Sequence, residues 1–178
     1  MSRGWFVIGI AGGAILSARG VAAFPERFED LSASVEVAGV FGLDLSRSPL
    51  TFSDVSPGQT AVLGEGHFFN QITCRSNSGR PWYLKAHVQS LTHLERRDAL
   101  PASSLKWKLV ESTGEGQPSS GGGFQEFSSD PLLLYMSRGD DERGREVVLR
   151  FQYSLSAPVD ALAGTYVGQI VFTMAENP

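Results

Sequence analysis

The sequence predicts an all-β fold, a single antiparallel two-sheet β-sandwich preceded by a cleavable signal peptide. Three observations carry this prediction. Short runs rich in β-branched and aromatic residues recur along the chain, Gly, Pro, Ser and Asp separate them, and long 3.6-residue periodicity is missing after the N-terminus. About seven to nine short strands in one domain favour two packed sheets, with a closed barrel as the alternative.

The first 23 residues have the order of a secretory signal peptide. Arg3 supplies a positive end, an uncharged apolar run extends from Trp5 to Leu16, and small residues end at Val21–Ala23. The apolar run would reach about 18 Å as a helix, which is short for a bilayer core of about 30 Å. Export is therefore favoured over a membrane anchor or a buried helix, and cleavage after Ala23 would leave Phe24 first.

The predicted organisation is a signal peptide at 1–23, a short and weakly helical lead-in at 24–33, and the sandwich at 34–178. Removing the signal leaves 155 residues with 13 basic and 19 acidic side chains, a net charge of −6. This acidic balance does not suit a nucleic-acid partner or electrostatic attraction to anionic lipid. No second apolar stretch of membrane length follows the signal, so no transmembrane span is expected after cleavage.

Eight segments are predicted as strands from their composition and alternation. In chain order they are Ser34 to Leu45, Thr60 to Leu63, Phe68 to Arg75, Trp82 to Leu91, Leu105 to Glu111, Leu132 to Met136, Glu146 to Leu155 and Gly164 to Met174. The Gly-rich stretch from Ser112 to Gly123 is expected to be a flexible surface loop. The charged stretch from Arg138 to Arg145 is expected to close a hairpin.

Motifs of enzyme and metal chemistry were sought in the sequence and are missing: it holds no H-E-x-x-H, G-x-S-x-G, P-loop or paired-Cys zinc pattern. The three acids at Asp140–Glu142 are expected to be solvated rather than bound to Ca²⁺. Cys74 is the only cysteine, and a buried strand residue is favoured over a nucleophile or an intermolecular bridge. We therefore predict no catalytic residue, no metal and no cofactor. An enzyme with carboxylates brought together by folding is the least favoured alternative.

Two stretches resemble the WxL domain, the non-covalent wall-binding module of some bacterial surface proteins. The tripeptide Trp82–Leu84 follows a Gly-containing turn and opens a strand, as the family's first motif does. The segment Gly164–Met174 is similar to the family's terminal strand, although Phe172 stands where a second Trp belongs. The resemblance implies binding roles for Trp82, Leu84, Phe172 and Met174. From the residues alone, Trp82 is better explained as a core side chain, because a large aromatic early in a central strand is usually buried.

A second resemblance competes with the first. The segments Leu50–Gly58 and Ala163–Tyr166, with the strand that holds Cys74, are similar to spore-coat-U-like and pilus-subunit-like secreted sandwiches. These are immunoglobulin-like assembly modules, and their usual cysteine pairing is impossible here because Cys74 is alone. This resemblance implies a subunit that assembles by strand pairing.

Taken together, these observations predict a non-enzymatic protein that is exported to the extracellular surface or the periplasm. The expected partner is a cell-envelope polymer or another surface protein, with self-association as a further mode. A structural subunit of a pilus, filament or coat is the alternative function.

Overall fold

The computed structural model describes residues 34–47 and 49–177. The signal peptide at 1–23 and the lead-in at 24–33 lie outside these residues. By its internal contacts the chain divides into two units, residues 1–38 and 39–178. In the first unit only residues 34–38 are described, and they form neither helix nor strand. The second unit carries all the strands of the described chain.

The described part of the second unit is built from thirteen strands and two short 3-10 turns, with no α-helix. The strands are β1 (Phe41–Leu45), β2 (Thr60–Leu63), β3 (Asn70–Ser76), β4 (Tyr83–Val88), β5 (Leu91–His93), β6 (Ala99–Leu100), β7 (Leu105–Ser112), β8 (Gln117–Pro118), β9 (Gln125–Glu126), β10 (Leu132–Met136), β11 (Glu146–Ser156), β12 (Tyr166–Val167) and β13 (Ile170–Ala175). The 3-10 turns span Ala102–Ser104 and Gly139–Glu142.

The strands form three sheets, and every pairing is antiparallel. The first sheet has the order β1-β3-β11-β7-β9, and β2 pairs with the C-terminal part of β11. The second has the order β13-β4-β10-β8, and the third, smaller sheet has the order β12-β5-β6. The all-β class and the antiparallel pairing predicted from the sequence are confirmed, but a small third sheet accompanies the two expected ones.

One hydrophobic core lies between the two larger sheets. Alternate residues of β3, β7 and β11 enter it from the first sheet, among them Ile72, Trp107 and Phe151. Alternate residues of β4, with Leu134 and Tyr135 of β10, enter it from the second. Strands β3, β4, β7 and β11 are therefore half-buried in the period-2 pattern, whereas β10 buries two adjacent residues at a β-bulge.

Two predicted strands, Thr60–Leu63 and Leu132–Met136, have the predicted bounds. The first strand begins at Phe41, seven residues after the predicted start at Ser34, because its partner β3 ends at Ser76, opposite Phe41. The predicted strand Trp82 to Leu91 divides into β4 and β5. Likewise, the final predicted strand divides into β12 and β13, which belong to different sheets.

Both predicted connections are wrong in detail. The stretch from Arg138 to Arg145 does not close a hairpin, because β10 lies in the second sheet and β11 in the first. It crosses between the sheets through the 3-10 turn. The stretch from Ser112 to Gly123 is not entirely a free surface loop, since β8 at Gln117–Pro118 pairs with β10.

Within the described chain, no helix is long and apolar enough to span a bilayer.

Candidate binding edge and cleft

The four residues implied in binding fall into two pairs. Trp82 and Leu84 have no exposed surface and lie in the core. Phe172 and Met174 are half-buried on β13 and pack against the same core from the edge of the second sheet. Leu84 and Met174 are opposite each other in the β4–β13 pairing. Leu84 and Met174 are therefore cross-strand neighbours, and only the two residues of β13 reach an edge.

Trp82 is held in place by hydrogen bonds at both its backbone and its ring. Its backbone N–H donates to the Ser137 hydroxyl oxygen at 2.7 Å, and its indole Nε1–H donates to the Asp141 carbonyl oxygen at 3.0 Å. The ring centroid lies 5.6 Å from that of Tyr135. The side chain thus has its polar group satisfied inside the protein. This supports the core interpretation, and in this conformation the ring has no surface to offer a ligand.

Asp141 anchors the same region, against the expectation that all three neighbouring acids are solvated. It is completely buried, and its carboxylate accepts hydrogen bonds from the backbone N–H groups of Glu115 at 3.0 Å and Gly116 at 2.9 Å. It also accepts one from the Tyr135 hydroxyl at 2.8 Å. Burial, first, and then this bond raise the pKa of Tyr135. A side chain at Gly116 would collide with Tyr135 and Met136, so the loop can approach only because the residue is glycine.

Strand β13 forms an open edge of the second sheet. It pairs with β4 on one side, and no strand among the described residues pairs with its other side. In β4 the Val88 N–H points away from β13, since it donates to the Ser128 carbonyl at 2.9 Å. Val88 lies opposite Ile170 in the pairing of β4 with β13. Directly opposite residues of an antiparallel pair either bond to each other through their backbone groups or both direct these groups away, so the N–H and C=O of Ile170 also point away from β4.

Because backbone direction alternates along a strand, the same holds for every second residue of β13. Ile170, Phe172 and Met174 therefore direct their N–H and C=O groups to the open edge. Val171 and Thr173 direct theirs to β4. An unpaired row of this kind is a template for an added strand.

An apolar cleft adjoins the first half of this edge. It opens between the two larger sheets at the end where β1, β4 and β11 finish and β3, β7 and β13 begin, and its volume is about 1360 Å³. The segments 49–57 and 161–170 form its walls. Apolar side chains from both sheets and both walls line it, namely Leu45, Phe52, Leu105, Leu155, Ile170 and Phe172.

Few charges face the cleft. Among the described residues that line it, only Arg47, Asp54 and two tyrosines are ionisable. The Asn70 side-chain oxygen accepts a hydrogen bond from the Tyr153 hydroxyl at 2.8 Å. A lining that is mostly neutral and apolar suits an apolar occupant better than a charged one. The cleft is therefore a candidate site for uncharged, hydrophobic groups.

The third sheet supports one wall of the cleft through His93. This buried ring accepts hydrogen bonds at Nδ1 from the backbone N–H groups of Glu95 and Arg96, at 3.0 and 3.1 Å. Its Nε2 lies 3.1 Å from the Ala163 carbonyl oxygen. Because Nδ1 accepts, the proton is on Nε2, which therefore donates to this carbonyl. A side chain at Gly164 would overlap the ring. Both ring nitrogens of His93 are therefore engaged in hydrogen bonds, one of which holds the wall segment 161–170.

The described residues bear on metal chemistry and on thiol chemistry. They contain no group of three or more His, Cys, Asp and Glu side chains placed to hold a metal ion. Cys74 is buried, as predicted, and burial followed by the nearby charge of Asp44 raises the pKa of its thiol to about 12. The thiolate that nucleophilic chemistry needs is therefore strongly disfavoured.

The sequence suggested an edge at the last strand, but it did not reveal the cleft or which residues of that strand form the edge. The edge arises because the last predicted strand divides at Gly168, so that β12 leaves for the third sheet. The cleft depends on where the segments 49–57 and 161–170 lie, and such irregular chain carries no periodic signal. The Gly168 interruption in the alternation of Gly164 to Met174 was the one available sign.

Comparisons with known proteins give no family for this chain. No family model matches it, and no curated protein matches it. Among solved structures, it is similar to a family 123 glycoside hydrolase from Clostridium perfringens, described in a study of glycolipid glycan hydrolysis, with 15% identity and a TM-score of 0.39. The match covers 70% of this chain and 20% of that chain. At that level the likeness assigns neither a fold nor an activity.

Proposed function

We propose that this protein is an exported, non-enzymatic module of immunoglobulin-like type that binds an extended polypeptide at the β13 edge and the adjoining cleft. The observation that carries the proposal is the open edge, where three alternate residues direct unpaired backbone groups away from β4. The partner is another protein of the cell surface or periplasm. The N-terminal signal pattern and the WxL-like segments support that location.

An extended polypeptide matches this site better than an envelope polysaccharide. An added strand supplies a C=O for each free N–H and an N–H for each free C=O, and every second side chain of that strand can enter the cleft. A sugar polymer offers hydroxyl groups, which do not repeat at the strand spacing. Apolar side chains such as Leu45 and Phe172 line part of the cleft, and these can receive the apolar side chains of such a strand.

The proposal is tested with a pair of substitutions at one position of the edge. Met174→Pro removes an N–H that points to the open edge and leaves the β4 pairing intact, which proline tolerates on an edge strand. Met174→Ala shortens the side chain in the same way and keeps the N–H. The full chains are expressed, and the exported proteins are sedimented with envelopes isolated from the source cells.

Wild type and Met174→Ala should sediment with envelopes, and Met174→Pro should remain in the supernatant at equal thermal stability. Envelopes treated with protease should lose the binding. Equal sedimentation of the proline and alanine variants would show that the β13 edge is not used. Sedimentation that survives protease but not removal of the polysaccharide would make the partner a polymer.

A structural subunit of a pilus, filament or coat is the second candidate. It is favoured by the segment 34–40, which has strand-like alternation and two highly exposed valines, Val35 and Val37. A subunit that both offers and accepts a strand would account for this segment and for the open edge together.

A further inference from the structure

The inner end of the cleft contains polar as well as apolar side chains. Of the described residues that line the cleft, five are buried and therefore form this inner end, namely Val88, Leu100, Leu105, Asn70 and Tyr153. Asn70 is the first residue of β3, and Tyr153 lies on β11. They are 3% and 1% exposed, so an amide and a hydroxyl stand deep in an otherwise apolar lining.

These two side chains bond to each other, and the bond fixes the orientation of the amide. The Tyr153 hydroxyl donates to Asn70 Oδ1 at 2.8 Å. Burial raises the pKa of this hydroxyl by more than its bond to Asn70 lowers it, so the hydroxyl remains a donor at neutral pH. With its oxygen held by Tyr153, the amide directs its NH₂ group to the opposite side.

The Asn70 amide nitrogen has no hydrogen-bond partner among the described residues. In that part of the chain, Trp107 Nε1 is the one fully enclosed side-chain nitrogen or oxygen that lacks a partner. The unpaired Asn70 nitrogen is therefore not enclosed, and it is open to the space of the cleft that Asn70 lines. An occupant that fills this space without accepting from the NH₂ group would leave two donors desolvated, which is unfavourable.

We propose that Asn70 selects the group that fills the inner end of the cleft, a tyrosine side chain of the bound polypeptide whose hydroxyl oxygen accepts from the Asn70 NH₂ group. The tyrosine ring suits the apolar surfaces of Leu100 and Leu105, and its hydroxyl supplies the acceptor. A serine or threonine has the oxygen without a ring to cover these surfaces.

A carboxylate fits the inner end less well than a neutral hydroxyl. A buried carboxylate needs a cation close to it. Among the described lining residues the one cation is Arg47, which is exposed and lies over the Phe69 ring, 5.6 Å from its centroid. A charged occupant would therefore be held toward the mouth of the cleft, away from Asn70.

This inference rests on the proposed function in one respect, that the occupant is a polypeptide. It adds the side chain that the cleft recognises and the residue that recognises it. The recognition itself is testable without the natural partner, because small aromatic compounds can stand in for the side chain.

The test compares two probes by NMR titration of the exported full chain. p-Cresol has the ring and the hydroxyl of a tyrosine side chain, and toluene lacks only the hydroxyl. The readout is the ratio of their dissociation constants, and the methyl signals of Leu100 and Leu105 locate each probe at the inner end. Wild type should prefer p-cresol, because toluene leaves the Asn70 NH₂ group unpaired.

Asn70→Leu with Tyr153→Phe replaces both polar partners by apolar groups of similar shape, so that neither is left unpaired and the fold is kept. In this double variant the preference for p-cresol over toluene should fall by roughly tenfold or more. Tyr153→Phe alone is the matched control, since it keeps the Asn70 amide and should keep the preference. Asn70→Asp, which keeps an acceptor for Tyr153 and removes the NH₂ group, should lose the preference as the double variant does.

A polypeptide probe follows the two compounds. A short capped peptide alternates threonine and valine around one central tyrosine, and its analogue carries phenylalanine there. Wild type and Tyr153→Phe should bind the tyrosine peptide more tightly than the analogue, whereas the double variant should bind the two alike.

Two results would overturn the inference. An equal preference for p-cresol in wild type and the double variant would show that Asn70 does not recognise the hydroxyl. Probes that leave the Leu100 and Leu105 signals unmoved would show that the inner end takes no such ring. If Met174→Pro still loses envelope binding in either case, the proposed function stands and only the selection by Asn70 is wrong. If the probes behave as expected while Met174→Pro binds envelopes like Met174→Ala, the Asn70 site stands and the β13 edge is not used.

Discussion

At the scale of single residues, the strongest constraint is the buried carboxylate of Asp141. It holds the turn at 139–142 against the loop that contains Glu115 and Gly116, and its carbonyl holds the Trp82 ring. A buried carboxylate is tolerated only when hydrogen bonds replace the lost water, and here the Tyr135 hydroxyl and the backbone N–H groups of Glu115, Gly116 and Arg138 do so. This one side chain therefore links the second sheet to the crossing that leads to β11.

We predict that Asp141→Asn lowers the free energy of unfolding by about 2–4 kcal/mol. The amide has one acceptor oxygen, so its NH₂ group would face at least one of the donors that the carboxylate now accepts. Urea denaturation followed by fluorescence measures the change. Asp140→Asn, at the exposed neighbouring acid, is the control and should lie within about 0.5 kcal/mol of wild type.

Tyr135→Phe separates the two parts of the network. It removes the hydroxyl donor and leaves the three backbone N–H groups on Asp141, so its cost should be smaller than that of Asp141→Asn. An Asp141→Asn protein as stable as wild type would mean that the carboxylate is not the anchor. The sequence could not reveal this role, because Asp140–Glu142 stand among arginines like any solvated loop.

At the scale of elements, the bounds of Thr60–Leu63 and Leu132–Met136 were predicted correctly. Thr60–Leu63 alternates in exposure, whereas Leu132–Met136 is a short apolar run whose buried residues are adjacent. Alternation does not locate a strand end that depends on a partner strand. Strand β1 begins only at Phe41 because its partner β3 ends opposite that residue, and the last predicted strand changes sheet at Gly168. The two-residue strands β8 and β9 are too short to leave a periodic pattern.

The four residues implied in binding by resemblance also fall into two groups. Phe172 and Met174 were singled out by resemblance, and the structure places them on the open edge. Trp82 and Leu84 were singled out with them, and both are buried. A strand that opens with Trp-x-Leu has its large residues on one face, and the sequence does not show whether that face meets a core or a ligand.

We predict that amide hydrogen exchange alternates along β13. The amides of Ile170, Phe172 and Met174 should exchange roughly tenfold or more faster than those of Val171 and Thr173. The faster amides lack a strand partner, and the slower ones donate to β4. Heteronuclear NMR measures each rate. Uniform protection across the strand would show that the edge is covered within the single chain, which would also exclude it as a docking site.

At the scale of the whole molecule, stability depends on one core. With a single cysteine no disulfide can form within the chain, and the 155 residues that follow the predicted cleavage site are enough to bury about 68–70% of their extended surface. Without a disulfide, the domain depends on a well-packed core. Here the four largest core side chains, Trp82, Trp107, Tyr135 and Tyr153, are at most 1% exposed.

The last prediction concerns export itself. Full-length chain expressed in a bacterium should appear outside the cytoplasm with Phe24 as its first residue, as N-terminal sequencing of the fractionated protein would show. Ala23→Tyr should block cleavage, because a signal peptidase needs a small side chain at that position. Ala22→Tyr should be cleaved normally, because the intervening position of the site accepts larger residues. A cytoplasmic product that still begins at Met1 would remove the envelope from the proposed function, while strand addition at β13 could still be tested on the same protein.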